Sequence, residues 1–300
     1  MKPAYIALLI GITLAWGLHF TVVKASIDGM PPFAYAAARM GLVALLLTPF
    51  RRWHPGRMGG VVLAGACFGG LNYAFMFHGL TLTTASVSAV VIESYVPIAT
   101  LFSIVFLKER VGWRRLLGMS VALGGVMVIA TGRSDATGSD NLALGAALIV
   151  LAATSEAAGA IFVKRLEGIE ALDLLAWFGV VGFVLTGTLS FFFEEGQLAP
   201  VTGQIDWLLL GALAYSVLVA SIFGHASYYF LIQRVPVSQL APSGLLCSFF
   251  AVGFGVLLLD EPLSGRFLVG GAMTLAGVGF VLLRESAKSA PPPEALAEAP

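Results

Sequence analysis

The residues of this 300-residue chain that could do chemistry are a few ionisable side chains within long apolar segments. A charge at the centre of a bilayer costs at least about 2.5 to 3.5 kcal/mol on insertion scales, so each such residue needs a partner or a task. Two acids, one guanidinium and three imidazoles fit this description: Glu93, Glu156, Arg39, His19, His78 and His225. These types suit the binding of a charged or dipolar small molecule, or the carriage of a proton.

Glu93 lies one helical turn before Pro97 in an apolar segment. Because proline lacks an N–H, it frees the carbonyl one turn earlier and permits a kink. We therefore predict that Pro97 is a hinge and that Glu93, with its neighbour Tyr95, lines a substrate site. There the carboxylate would hold an ammonium group or a proton. Two alternatives stay open, since Glu93 could be uncharged, or could pair with Arg39 and only fix the packing.

Arg39 is the one cation that we place within an apolar segment. A guanidinium can bind a carboxylate through two parallel hydrogen bonds, which would suit the acid end of an amino acid. The residue is under two turns from the start of its segment, so its side chain could instead reach the lipid headgroups. A structural ion pair is the third interpretation.

Aromatic and polar side chains on three further segments complete the predicted site. Trp16 and His19 share one helical face of the first segment, which is a reasonable wall for a ring-bearing or cationic ligand. Asn72 on the third segment, and His225 and Tyr228 on the eighth, suit the interior of a helical bundle better than lipid. Packing within an aromatic core is the competing interpretation.

Ten apolar segments must position these residues. Hydrophobic residues make up 58% of the chain and charged residues only 11%, far from the composition of a soluble domain. A bilayer core about 30 Å thick needs roughly 20 helical residues. We place the spans at 4–23, 33–50, 59–79, 84–107, 113–131, 142–163, 172–193, 206–231, 238–259 and 265–283. Because no segment alternates as a β-barrel strand does, we predict an all-α integral membrane protein with ten transmembrane helices.

The second five segments repeat the first five. A shift of 152 positions places Glu109 on Glu261 and Gly125 on Gly277. With an odd number of spans in each repeat, the two copies must be upside down relative to each other, an architecture of transporters. We therefore predict two inverted five-helix repeats, residues 1–135 and 141–284, around a central cavity. Residues 285–300 are predicted to form a disordered cytoplasmic tail.

Positive charge is distributed unevenly between the two predicted sides of the membrane. Of the 17 Lys and Arg residues, Arg39 lies within a span and only Lys24, Arg133 and Arg266 fall in predicted outer loops; the other 13 lie on one side. Lys and Arg are retained on the cytoplasmic side of a membrane. The sequence therefore predicts a multi-pass protein of a bacterial-type cytoplasmic (inner) membrane, with both termini in the cytoplasm.

Several other classes of function find no support in the sequence. Both cysteines fall within spans, which argues against a disulfide framework, and no basic tract resembles a nucleic-acid footprint. There is no HExxH motif, and Ser243-Gly244 lacks the GxSxG frame of a nucleophile turn. We predict no enzyme activity, no metal, no cofactor and no nucleic-acid partner. A small-molecule substrate and the bilayer are the expected partners, and a monomer and a homodimer both stay open.

The order of short motifs resembles the drug/metabolite transporter superfamily, specifically its EamA-type ten-span members. The resemblance covers nearly the whole chain and is carried by Trp16-Gly17, Pro97, Lys108-Glu109 and Asp260-Glu261-Pro262. It implies a helical bundle with a central cavity, alternating access, and efflux or exchange of small metabolites. Within the superfamily the chain looks most like the YddG-type exporters of aromatic and other amino acids.

Glu156 supports a second hypothesis. Aligning the Val-Lys pairs at 23–24 and 163–164 places Glu156 opposite Trp16. Small multidrug resistance proteins resemble one half of this architecture and use one Glu in their first span to exchange protons for lipophilic cations. The first repeat here lacks the matching acid. Export of amino acids is therefore the first prediction, and proton-coupled efflux of lipophilic cationic drugs is the alternative.

Overall fold

The structure is a computed structural model that describes residues 2–107, 112–131, 141–166, 168–197, 206–232, 234 and 243–289. Every regular element in these ranges is helical. Continuous stretches counted as one give ten helices: α1 (Pro3–Ser26), α2 (Pro32–Leu46), α3 (Met58–Gly65, Ala66–Leu71 and Asn72–Leu82), α4 (Ala85–Val91, Ile92–Ser94 and Tyr95–Leu107), α5 (Trp113–Ala130), α6 (Leu142–Lys164), α7 (Ala171–Phe193), α8 (Trp207–Ala214, Tyr215–Phe223 and Gly224–Ile232), α9 (Ser243–Leu259) and α10 (Gly265–Ser289). Short 3-10 turns follow α1 and α2, at Ile27–Gly29 and Thr48–Phe50.

Six of these helices are long and apolar enough to cross a membrane. They are α1, α3, α4, α6, α7 and α8, whereas the apolar parts of α2, α5, α9 and α10 are shorter. The prediction of an all-helical membrane protein is thus confirmed, and the helices lie where the sequence places spans. Two ends differ. Helix α2 stops at Leu46 because a 3-10 turn with Pro49 follows. Helix α10 continues to Ser289, so the segment predicted to be a disordered tail begins within a helix.

Direct backbone contact between α5 and α10 explains why these helices are rich in glycine. A Cβ atom added to Gly277 would lie 2.6 Å from the carbonyl oxygen of Gly118, and one added to Gly270 would lie 2.6 Å from that of Gly125. Any larger side chain would push the helices apart. The shift of 152 positions relates Gly118 to Gly270 and Gly125 to Gly277. The two contacts are therefore equivalent under the repeat, because each one joins a residue of one pair to a residue of the other pair.

A second pair of contacts has the same relation. Gly17 of α1 packs on α9, where a Cβ atom would lie 2.8 Å from Cβ of Phe250. On the other side of the bundle, Ala157 of α6 packs with Ile98 of α4. Residues 98 and 250 correspond by the shift of 152, and the alignment of the two Val-Lys pairs relates residues 17 and 157. The α1–α9 and α4–α6 contacts therefore correspond.

Local departures from α-helical geometry occur in three helices. Helices α3 and α8 contain π-helical stretches, Ala66–Leu71 and Tyr215–Phe223, at positions related by the shift of 150 that aligns the two helices. Helix α4 narrows to a 3-10 turn at Ile92–Ser94, directly before the α-helical stretch that contains Pro97. Such departures within a helix commonly mark functional positions or hinges.

Two carboxylates from the second half of the chain satisfy backbone N–H groups in the first half. Glu261, only 8% exposed, accepts from the first two residues of α4, Ala85 N (2.6 Å) and Ser86 N (2.9 Å). Glu194 accepts from Phe33 N (2.7 Å) and Ala34 N (2.9 Å) at the start of α2. The first N–H groups of a helix have no partner within it and attract negative charge. The acidic turn of residues 260–262, between α9 and α10, thus contacts the start of α4. The acidic turn of the first repeat, Lys108-Glu109, lies outside the described residues.

Candidate functional site

Arg39 lies at the centre of a polar cluster buried between four helices. Its side chain is 2% exposed, so it does not reach the headgroups. Nε and Nη2 donate to Ser221 Oγ at 3.2 and 2.9 Å, Nη2 also donates to Tyr73 Oη at 3.2 Å, and Nη1 lies 3.3 Å from His19 Nε2. The guanidinium also lies over the Tyr73 ring, 4.3 Å from its centroid. No carboxylate makes an ion pair with Arg39 among the side chains that the structure describes.

The π-helical stretch of α8 supplies most of the partners in this cluster. Ser216 Oγ lies 3.0 Å from His19 Nε2 and 2.9 Å from Tyr35 Oη. Ser221 Oγ donates to the carbonyl of Ser216 at 2.8 Å, and the carbonyl of Ser221 lies 2.9 Å from His225 Nδ1. One short segment therefore holds the ligands of the guanidinium and of both histidines.

Trp16 joins α1 to the same part of α8. Its indole N–H donates to the carbonyl of Ala220 at 2.9 Å, and its ring lies 5.6 Å from the His225 ring and 5.4 Å from the Tyr228 ring, centroid to centroid. A Cβ atom on Gly224 would overlap the indole. The structure thus brings Trp16, His19, His225 and Tyr228 together, as one face of the predicted site requires.

Glu93 and Glu156 form a second cluster, which is negative when these acids are ionised. Glu93 is 8% exposed, and its Oε1 lies 2.8 Å from Ser248 Oγ of α9. Glu156 Oε2 accepts from Asn72 Nδ2 at 3.3 Å, and the two helices that carry the acids pack against each other through Ile92 and Ala153. No cation pairs with either acid within the described part of the chain. The proposed Glu93–Arg39 pair is therefore absent from this structure.

Helix α3 connects the positive cluster to the negative one. Its consecutive residues Asn72 and Tyr73 point to different clusters, since Asn72 donates to Glu156 and Tyr73 accepts from Arg39. Asn72 also donates to the carbonyl of Ala152 at 3.0 Å, which fixes its orientation against α6. A buried cation and two acids, of which Glu93 is buried and Glu156 is half-buried, are thus held apart on neighbouring surfaces of one helical bundle.

Comparison with known proteins accounts for this arrangement of helices. The model of the EamA-like transporter family matches the chain twice, at residues 3–131 and 143–283. The chain belongs to the EamA-like transporter family. Proteins named probable amino-acid metabolite efflux pump, from Escherichia coli K12 and Salmonella typhimurium LT2, are 25% and 26% identical to it over 284 residues, which cover 92% of this chain and 93% of each relative.

Two further similarities are to an archaeal protein and to a solved structure. An uncharacterized transporter of Archaeoglobus fulgidus is 25% identical over 287 residues, which cover 93% of this chain and 98% of that protein. One solved crystal structure superposes with a TM-score of 0.63 and covers 97% of this chain and 100% of its own, at 16% identity. At that identity the likeness shows the fold alone.

The remaining predicted residues of this EamA-like transporter are Tyr95, His78 and Pro97. Tyr95 is half-buried and packs with Ile98 between α4 and α6. His78 stacks on Phe33, with ring centroids 5.6 Å apart, and its buried Nδ1 has no hydrogen-bond partner in the described ranges. Pro97 follows the 3-10 turn that contains Glu93, so the change in helix type coincides with the carbonyl that proline leaves free.

Four hydroxyl-bearing residues of the clusters were not predicted from the sequence. They are Tyr73, Ser216, Ser221 and Ser248, and all of them contact a predicted ionisable or imidazole side chain. Serine and tyrosine are ordinary constituents of apolar helices, so their type alone gives no signal. Their role follows only from the charged residue that each one contacts.

Proposed function

We propose that this transporter exports amino acids or closely related zwitterionic metabolites. The observation that carries the proposal is the separation of a cation from two acids, with Arg39 in one cluster and Glu93 and Glu156 in another. A substrate with a carboxylate and an ammonium group would supply the missing partner to each cluster. Buried charges are stabilised by such pairing, whereas an anion or a cation alone would satisfy only one side.

Each chemical group of the substrate has a natural position in this proposal. The guanidinium fork of Arg39 would bind the carboxylate, and Glu93 with Glu156 would receive the ammonium group. The aromatic rings of Trp16 and Tyr228 lie beside the positive cluster and would contact an apolar or aromatic side chain. The names of the Escherichia coli and Salmonella relatives, which are called amino-acid metabolite efflux pumps, support this choice of substrate class.

The proposed membrane arrangement has ten spans in two inverted repeats, with both termini in the cytoplasm. Support comes from the corresponding contacts of α5 with α10 and of α1–α9 with α4–α6, and from the uneven distribution of Lys and Arg. In this orientation the contacts of Glu261 with α4 and of Glu194 with α2 lie on the outer side. Alternating access would break these contacts when the bundle opens outward, and Pro97 would act as the hinge of α4.

Transport by purified protein in proteoliposomes tests the proposal. A panel of neutral and aromatic amino acids is compared with lipophilic quaternary cations, with and without a pH gradient. The proposal expects amino-acid flux that falls strongly in Arg39→Met and Glu93→Gln, while circular dichroism and elution volume stay as in the wild type. Unchanged amino-acid flux in both variants would contradict the proposal.

Proton-coupled efflux of lipophilic cations remains the second candidate function. Two acids within the bundle that no cation pairs with among the described residues favour it. This function needs Glu156 and does not need Arg39. Flux restricted to quaternary cations, tolerant of Arg39→Met and abolished by Glu156→Gln, would establish it in place of amino-acid export.

A further inference from the structure

We propose that Ser221 is the resting ligand of the carboxylate subsite and that a substrate carboxylate displaces it from Arg39. The inference rests on the proposed export of zwitterionic metabolites and names the residue that controls recognition of their acid end. Ser221 Oγ accepts from Nε and Nη2 together, at 3.2 and 2.9 Å. These two nitrogens form the edge of a guanidinium that carboxylates bind with two parallel hydrogen bonds.

The other edges of the guanidinium are less suitable for a carboxylate. Nη1 faces His19 Nε2 at 3.3 Å, and Nη2 also donates to Tyr73 Oη at 3.2 Å. The rings of Tyr73 and Phe77 lie 4.3 and 5.8 Å from the guanidinium carbon and restrict the movement of its plane. The Nε–Nη2 edge has a single neutral oxygen as its ligand. Replacement of that oxygen by the two charged oxygens of a carboxylate therefore strengthens the hydrogen bonds of this edge most.

Burial explains why such a resting ligand is needed. Arg39 is 2% exposed and Ser221 is 1% exposed, so water has little access to either side chain in this conformation. A buried charge without hydrogen bonds is strongly destabilising. The hydroxyl of Ser221 satisfies the guanidinium while no substrate is bound, yet it carries no charge of its own. A carboxylate forms stronger, charge-assisted hydrogen bonds and can replace it.

Ser221 can release Arg39 without losing its own hydrogen bond. Its Oγ donates to the carbonyl of Ser216 at 2.8 Å within the π-helical stretch of α8. The hydroxyl therefore stays anchored to its helix when the guanidinium turns to a substrate. The corresponding position in α3, by the shift of 150, is Leu71, so the first half of the chain has no equivalent ligand.

Two variants at this position test the inference with a matched pair of probes. Phenylalanine and phenylalaninamide differ only in that the amide replaces the carboxylate, and both are measured as competing and as transported substrates in proteoliposomes. Ser221→Asp places a fixed carboxylate at the Arg39 edge. We expect it to reduce phenylalanine transport by at least 10-fold relative to phenylalaninamide transport. Ser221→Ala removes the competitor, and we expect it to lower the KM for phenylalanine by roughly 5- to 10-fold, equivalent to about one hydrogen bond.

Thr188→Ala is the control, because it removes an exposed hydroxyl of α7 that donates to the carbonyl of Val184 on its own helix and lies outside both clusters. Its ratio of phenylalanine to phenylalaninamide transport should equal that of the wild type. If Ser221→Asp does not fold, as judged by thermal melting, the result for Ser221→Ala alone tests the inference. A wild-type ratio in Ser221→Ala would overturn the inference while amino-acid export stands. Wild-type protein that carries no amino acid would instead overturn the proposed function, and the inference with it.

Discussion

Substitution of Gly244 by alanine offers a sharp test of the role of Glu93. Gly244 is the second residue of α9, and a Cβ atom added to it would lie 3.1 and 3.2 Å from the two carboxylate oxygens of Glu93. The added methyl group would cover the surface of the carboxylate that faces α9. Glu93 would have to move by a few tenths of an ångström, or lose access on that side.

The expected effect follows from one charge-assisted hydrogen bond. Hydrogen bonds to charged groups contribute about 1.5 to 3 kcal/mol, and each 1.4 kcal/mol is a factor of about ten in affinity. If the Gly244 side of Glu93 receives the substrate ammonium, Gly244→Ala should raise the KM for an amino acid by roughly 10- to 150-fold. The assay is concentration-dependent uptake of a radiolabelled amino acid into proteoliposomes, normalised to the amount of reconstituted protein.

Gly253→Ala is the control on the same helix. A Cβ atom on Gly253 would have no atom within 4 Å apart from its own helix and neighbours. Both variants gain the same helix propensity from the change of glycine to alanine, so their difference isolates the methyl group beside Glu93. Equal KM values for the two variants would refute the assignment of the α9 side of Glu93 to the ammonium group.

Three further predictions concern the framework around the site. Gly125→Ala, which forces α5 away from α10, should destabilise the protein in detergent by about 1 to 3 kcal/mol, whereas Gly11→Ala should be neutral to slightly stabilising in a thermal melt, because open space surrounds it and alanine has the higher helix propensity. Equal melting temperatures would contradict the close contact of these helices. Glu261→Ala leaves two N–H groups of α4 without their acceptor and should lower stability by about 2 to 4 kcal/mol; an unchanged melting temperature would show that the cap is dispensable. Reporter fusions at residue 138 and at the C-terminus should report the outside and the cytoplasm respectively, and the same side for both would exclude the inverted arrangement.

Much of the helical framework could be predicted from the sequence. The lengths and positions of the apolar segments follow from the thickness of a bilayer, so helices such as α6 and α7 lie within a residue or two of the predicted spans. The repeat alignment relates α5 to α10, and the structure packs these two helices together through Gly118 and Gly277. Local composition was sufficient for the spans because the length and position of each span are properties of one segment.

The partners of the charged residues could not be predicted in the same way. The sequence left a Glu93–Arg39 pair open, whereas the structure gives Arg39 a serine that is 182 positions away and gives Glu93 a serine of α9. Which of several hydroxyl groups lies beside a charge depends on how the helices rotate and cross. A single apolar sequence contains little information about that rotation, because lipid and protein interior are both apolar.

The sequence by itself determined an all-helical membrane protein with a few ionisable residues inside its apolar segments, because hydrophobicity and segment length set both features. Only the tertiary structure decided that Ser216 and Ser221 face the same cluster. In a regular α-helix, residues five positions apart point about 140° away from each other. The π-helical stretch Tyr215–Phe223 brings such residues together, and packing against α1 and α2 turns them toward His19 and Arg39.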